Sequence, residues 1–259
     1  MRLSFLAEEW LSSYISGFRN KKGELHPLLE LKRSHSRRVA ENCRRIAAEH
    51  GWTGPLLERA LSAAILHDTG RFPQYTTWET FYDGASADHG ALGEKVLREE
   101  FPWPDPEGED AFVVLEGVRL HNRRTLPETV SPAALPVVRI VRDSDKMDVF
   151  RIVREHVKEG RISDLLPRIN PEGGYSPAIV EEVGRTGRGS YQNVRSTADF
   201  LLLQLSWIFD LNFGPAYRML EEEGAFSWIL EQLPPDPDLA PFFEEVSRSA
   251  GEWRAAGRA

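Results

Sequence analysis

The chain has 259 residues, and 32 Lys and Arg against 40 Asp and Glu give it a formal net charge of −8. A hydrophobic share of 41% and a charged share of 28% exclude a mainly disordered chain, and the length suits one sizeable core with or without a smaller appendage. The net acidity argues against long nucleic acids and anionic membranes as partners, since both need a basic face, but it leaves room for a local cationic pocket.

In chain order, the sequence reads as helices almost throughout. Phe5, Leu6, Trp10, Tyr14 and Phe18 recur at helical spacing. Glu8 and Glu9 interrupt any apolar stretch there, so no secretory leader is expected. Pro27 suits a first helical turn, and a second helix runs from it towards Gly51, with Leu31, Val39, Cys43, Ile46 and Ala47 as its apolar stripe. Cys43 is the one cysteine, which precludes an intrachain disulfide and a Cys-based zinc cluster, and it reads as a small core residue. Pro55 opens a third helix that Gly70 closes, and the aromatic tract from Phe72 to Phe81 reads as a loop. Ser86 or Asp88 caps the next helix, and another spans about Asp110 to His121. A long helix starts at Pro132 and runs to about Val157. Beyond Asn170 the pattern is less regular, with turns at NPEGGYS and GRTGRGS. Helical patterns return in TADFLLLQLSWIFDL and PAYRMLEEEGAFSWILEQL, and a Pro-rich connector precedes a last amphipathic helix with Phe242, Phe243, Val246 and Trp253. No run approaches the roughly 18 apolar residues of a membrane span, and a cytoplasmic setting is expected.

Chemistry-bearing residues gather between positions 35 and 148. In Ala64-Ile65-Leu66-His67-Asp68-Thr69-Gly70-Arg71 an apolar helix ends in His-Asp, followed by a glycine turn and a cation. Imidazole nitrogen and carboxylate oxygen suit a borderline or hard divalent metal. Adjacent helical residues point about 100° apart, so both reach one ion only where the backbone turns, as Gly70 implies. His35 lies upstream, and His89 and His121 lie downstream. Asp145 sits in the largely apolar VRIVRDSDKMDVF, where an unpaired carboxylate is costly, and Asp143 points about 200° away from it around the helix.

Taken together, His35, the His67-Asp68 pair, His89, His121 and Asp145 resemble the HD superfamily of metal-dependent phosphohydrolases. The resemblance covers residues 27–157 and rests on the H…HD…D pattern: the helix with His35, the segment ILHDTGR, and Asp145-Lys146-Met147-Asp148. It implies an all-α fold, with an HD-domain helical core and additional C-terminal helices. The expected organisation is a metal-binding domain over 1–170 and a helical extension over 171–259, packed on the same core and carrying no motif. His35, His67, Asp68 and Asp145 match the four-ligand mononuclear set, and Asp145 is preferred to Asp143 because Lys146 and Asp148 follow it in the family manner. His89 and His121 fall where binuclear members carry extra histidines. Asn122 stands where those members often have a second histidine, and Arg71 where lysine often follows. Signatures of cyclic-dinucleotide diesterases are absent, which disfavours that substrate.

The function so implied is hydrolysis of a small phosphorylated substrate, with nucleotides among the candidates, by a metal-activated water. The donor set favours one or two ions of Mn, Fe, Co, Ni or Zn over an all-oxygen magnesium site. Asp68 is the expected bridge between two metals, and Asp68, Arg71 and Lys146 are the expected catalytic residues. Arg71, Arg123, Arg124 and Lys146 are the expected phosphate contacts. Two other functions share these ligands: a non-catalytic module that senses a nucleotide or metal, and a di-iron oxygenase. The C-terminal apolar residues, among them Phe200, Leu203, Trp207 and Trp228, are numerous enough to cap the core or support a homodimer.

Overall fold

Apolar residues recurring every three or four positions bury one face of a helix, and this chain has such stripes from end to end. A computed structural model describes residues 2–256; Met1 and residues 257–259, the outer ends of the two expected domains, lie outside the described residues. Among the described residues there is no strand, and the one extended pairing is an isolated bridge between Asn170 and Ser196. The helices are α1 (Leu3–Ser16), α2 (Pro27–Glu49), α3 (Gly54–Leu66), α4 (Arg71–Trp78), α5 (His89–Glu100), α6 (Glu109–Leu120), α7 (Leu135–Lys158), α8 (Ile162–Leu165), α9 (Pro177–Thr186), α10 (Thr197–Leu205), α11 (Gly214–Glu222), α12 (Ala225–Gln232) and α13 (Ala240–Ala256).

The chain packs as two compact units, residues 1–148 and 149–259, with the boundary inside α7. In the first unit α3 lies against α1, α2 and α6, and every residue from Ala60 to Leu66 is buried. α5 packs on α6, and α4 packs on α2 and α5. Gly117 lets α6 approach two neighbours at once, because a Cβ there would stand 2.9 Å from the Ala63 methyl on α3 and 3.3 Å from Val137 on α7. Asn42 of α2 donates to the Ser144 carbonyl of α7 at 3.1 Å. Cys43 is fully buried, and that burial pushes its thiol pKa up to about 12, the behaviour of a core residue.

The second unit is built on aromatic packing. Phe150, on the last half of α7, meets Trp207 and Phe226 edge-on, and Tyr217 stacks on Phe226 and Trp253. Buried Asp199 accepts from the Ser176 and Arg195 amides, both at 2.8 Å, and so ties the irregular segment to α10. Several elements differ from the sequence reading. The tract expected as a loop after Gly70 forms α4, with Pro73 in its first turn, where a missing N–H is harmless. The long helix starts at Leu135 rather than Pro132. The pattern from Pro215 to Leu233 breaks into α11 and α12 at Gly224, whose φ of 66° is left-handed. Among the described residues no helix is long and apolar enough to cross a membrane.

Candidate metal centre

Six side chains from five helices and their ends converge in the first unit. His35 lies within α2 and Asp145 within α7; His67 and Asp68 follow α3; His89 opens α5; His121 follows α6. Two of the histidines use one device. The rings of His67 and His121 each stand just past a helix C-terminus, where carbonyls lack partners. Each donates from Nδ1 to the carbonyl three residues back, Ala64 at 2.8 Å and Val118 at 2.7 Å. The other two donate to carboxylates. His35 Nδ1 donates to Asp148 at 2.7 Å, and Asp148 also accepts from the Arg38 Nε at 2.7 Å. His89 Nδ1 donates to Asp83 at 2.7 Å, and Asp83 also accepts from Arg71, Gln74 and Asn122.

With all four Nδ1 atoms engaged, all four Nε2 atoms face inward. His35 and His67 bring theirs to 3.2 Å, and His89 and His121 to 3.0 Å. The two carboxylate oxygens of Asp68 divide between these pairs. Its Oδ2 lies 3.5 Å from both His35 and His67, while its Oδ1 lies 3.6 Å from His89 and 3.9 Å from His121. Asp145 joins the first pair, 3.0 Å from His35 and 3.9 Å from His67. Donor atoms of His35, His67 and Asp145 lie close enough to hold one ion, and so do those of His67, Asp68 and His121.

The corner that presents His67 and Asp68 depends on Gly70. A Cβ at Gly70 would lie 2.2 Å from the His89 carbonyl oxygen and 2.6 Å from the Gly93 nitrogen, so no larger residue lets α3 and α5 meet this closely. Asp88 caps α5 by accepting from the Gly90 and Ala91 amides. Arg142 of α7 closes the end of α6 by donating to the carbonyls of Leu120, His121 and Arg123.

Electrostatics separate the histidines. Burial, then the imidazoles of His121 and His35, pushes His67 down to about 3; burial, then Arg71 and His121, pushes His89 down to about 4; and His121 is lowered mainly by burial. These three are therefore neutral near pH 7. Their Nδ1 atoms carry the proton, so the His89 and His121 Nε2 lone pairs face each other with no hydrogen between them. That is a repulsive contact which a cation would relieve, and the residues present fit a metal on this ground. His35 differs. Burial and Lys32 oppose its charge, but Asp145 and Asp148 outweigh both and hold its pKa above the ordinary value. Burial would raise Asp68, yet Lys32 first, then the imidazoles and Arg71, hold it well below the usual carboxylate range. Asp145 is lowered against its own burial by His35 and the other imidazoles.

The basic residues are placed unequally. Arg71 stands at the cluster: its Nη1 donates to Gln74, the Phe81 carbonyl and Asp83, and its Nε lies 3.4 Å from Asp68 Oδ1. Arg123 pairs with Asp88 at 2.9 Å on the surface, and Arg124 is exposed. Lys146 is buried next to Asp145 on α7. Sequence reasoning missed Lys32, whose Nζ lies 2.7 Å from Asp68 Oδ2 and, like the Arg71 guanidinium, over the Phe81 ring. It also missed Arg38, Asp83 and the supporting part of Asn122. A signal existed for the first two, because Lys32 and Arg38 each lie one helical turn from His35 and share its face. The side chains of Asp145, Lys32 and Arg71, respectively 23%, 17% and 14% exposed, mark where solvent reaches an otherwise buried centre.

The family profile for the HD domain matches residues 33–184, more than half of the chain. No curated protein and no solved structure matches the chain. The matched region contains all six clustered residues, and the chain belongs to the HD domain family.

Proposed function

We propose that the protein is a metal-dependent phosphohydrolase with a two-metal centre, acting on a small phosphorylated molecule, with nucleotides among the candidate substrates. What supports this reading is the division of Asp68, whose two oxygens each face one imidazole pair. One ion would be held by His35, His67, Asp68 and Asp145, the other by His89, His121 and Asp68. The imidazole and carboxylate donors suit Mn, Fe, Co, Ni or Zn. A bound divalent ion supplies a Lewis acid toward a phosphoryl oxygen and an acidified water as nucleophile.

The chain's own part is positioning and charge. Asp148 and Asp83 hold the His35 and His89 rings in the tautomer that turns Nε2 inward. Arg71 is anchored through Nη1, which leaves its Nη2 to take a phosphate oxygen at the solvent-reached edge. Lys32 reaches the same edge, and once Asp68 serves as a ligand its ammonium turns to the substrate. Lys146, Arg123 and Arg124 are secondary candidates for phosphate.

The test pairs elemental analysis of the purified protein with a panel of phosphomonoesters and phosphodiesters in manganese, cobalt and nickel. Expected are about two metal equivalents and phosphate release, both lost in His67→Ala and Asp68→Ala. Full metal content and activity in those variants would overturn the reading. So would metal-loaded wild type that consumes oxygen but hydrolyses no phosphate ester.

A further inference from the structure

A second feature of the first unit lies outside the metal centre. Between α1 and α2 is a groove of about 690 Å³ with Leu11, Ile15 and Ile65 on its apolar side. Four guanidiniums line it from α2: Arg33, Arg37, Arg38 and Arg44. Two carboxylates of the same lining, Glu8 and Glu41, offset part of this charge. Among the described residues Arg33 and Arg44 pair with exposed carboxylates of their own helix, Glu30 and Glu41, each at 2.5 Å. Exposed pairs of this kind are weak and exchange readily for a better anion. Arg37 is exposed and has no ion-pair partner among the described side chains.

An independent observation marks the same groove. Ser36 lines it, is 2% exposed, and its hydroxyl has no hydrogen-bond partner among the described residues. Buried hydroxyls are nearly always satisfied, so an orphan beside four arginines is a donor waiting for an acceptor. Arg38 links the groove to the metal centre. Its Nε and Nη2 clasp both oxygens of Asp148, at 2.7 and 3.0 Å, and Asp148 accepts from His35 Nδ1.

We propose that the groove between α1 and α2 is a regulatory anion site. It takes a small phosphorylated molecule on Arg33, Arg37, Arg38 and the Ser36 hydroxyl, and it reports occupancy to His35 through Asp148. Phosphate suits the donors because Arg presents two parallel N–H groups and Ser a third. The apolar side accepts an organic portion of the ligand. Glu8 and Glu41 at the rim disfavour a long polyanion and favour a compact one.

The test uses the full chain, stripped of metal with a chelator and labelled with ¹⁵N-histidine. Inorganic phosphate is titrated in while calorimetry follows binding and NMR follows the His35 ring nitrogens. Expected is one saturable site whose occupancy shifts the His35 signal. Arg37→Ala should weaken binding at least tenfold, and Arg71→Ala, at the metal centre, should leave it unchanged. In Arg38→Lys, binding should persist with a smaller His35 shift, because the two-oxygen clasp on Asp148 is lost. Binding that vanishes in Arg71→Ala and survives Arg37→Ala would assign the phosphate to the metal centre and overturn the proposal. So would an absence of saturable binding up to millimolar phosphate. Arg37 is exposed, so circular dichroism of its variant should match wild type and separate lost binding from misfolding.

Discussion

Each imidazole of the cluster is aimed by what its second nitrogen touches, and the anchors are of two kinds. Backbone carbonyls fix His67 and His121, and carboxylates fix His35 and His89. Only the carboxylate anchors can be removed by substitution, and they serve different pairs. Asp148→Asn should therefore weaken metal binding at the His35–His67–Asp145 side, and Asp83→Asn at the His89–His121 side. The expected loss is about 10- to 100-fold in affinity at one equivalent, with the other retained, as read by metal content after dialysis. Loss of both ions in each variant, or of neither, would show that the halves are not separately anchored. The six residues that converge were legible in the sequence through the spacing of the histidines around His67-Asp68, the cost of an unpaired Asp145 in an apolar helix, and the resemblance to the HD pattern. Their supporters were not. Lys32 and Arg38 lie in a run of basic residues, and Asp83 lies between α4 and α5 in a segment with no helical sequence pattern. What distinguishes them is whom they meet from other helices, which no local pattern encodes. Asn122 is the instructive departure: its amide donates to Asp83 and Asp88, so it supports His89 from outside the inward ring of Nε2 atoms.

At the scale of elements, the centre is assembled by helix ends more than by helix faces. His67, Asp68, His89 and His121 all sit at or just beyond a terminus, and close approach of α3, α5 and α6 brings those termini together. Gly70 is the tightest contact, since both atoms crowding an added Cβ are backbone and neither can swing aside. Gly70→Ala should destabilise the fold by roughly 2–3 kcal/mol, the upper range for overpacking, and should reduce metal retained at His89 and His121. Urea unfolding and metal content check this, and a variant with wild-type stability and full metal would refute it. The helices around these ends were legible because their apolar stripes are long. α4 was not: Pro73, two threonines and three aromatic residues in eight positions read as a loop, but packing against α2 and α5 overrides that local preference. α9 hides in a glycine-rich stretch for the same reason. Its Ile179 and Val183 are buried four residues apart, too few to stand out from the turns on either side.

For the protein as a whole, the cluster sets how stability depends on pH, and the histidines pull in opposite directions. His67 and His89, lowered to about 3 and about 4, and the lowered His121 stay neutral in the fold but bind protons when unfolded below about pH 6.5. The unfolded state then holds more protons, so stability falls on acidification below about pH 6.5. The lowered carboxylates Asp68 and Asp145 add their loss further down, as the pH falls through their folded values. His35 has the other sign. Its raised pKa contributes stability that is complete below about pH 6.5 and disappears as the pH rises through the folded value. The metal-free protein should therefore show a maximum in its urea midpoint, with an acid limb from three histidines and a shallower alkaline limb from His35. Metal changes the two limbs differently. A ligated His35 must give up its Nε2 proton, so loading should release protons and flatten the alkaline limb. Protons also compete for the His35 imidazole below its raised folded value, so stabilisation by metal, about 2.7 kcal/mol at a hundredfold excess over Kd, should shrink as the pH falls through that value and steepen the acid limb. Urea midpoints at pH 5 to 9, with and without manganese, decide it. A metal-free midpoint that is flat across that range would mean that the buried histidines titrate as freely in the fold as outside it, and the electrostatic account of the cluster would fall.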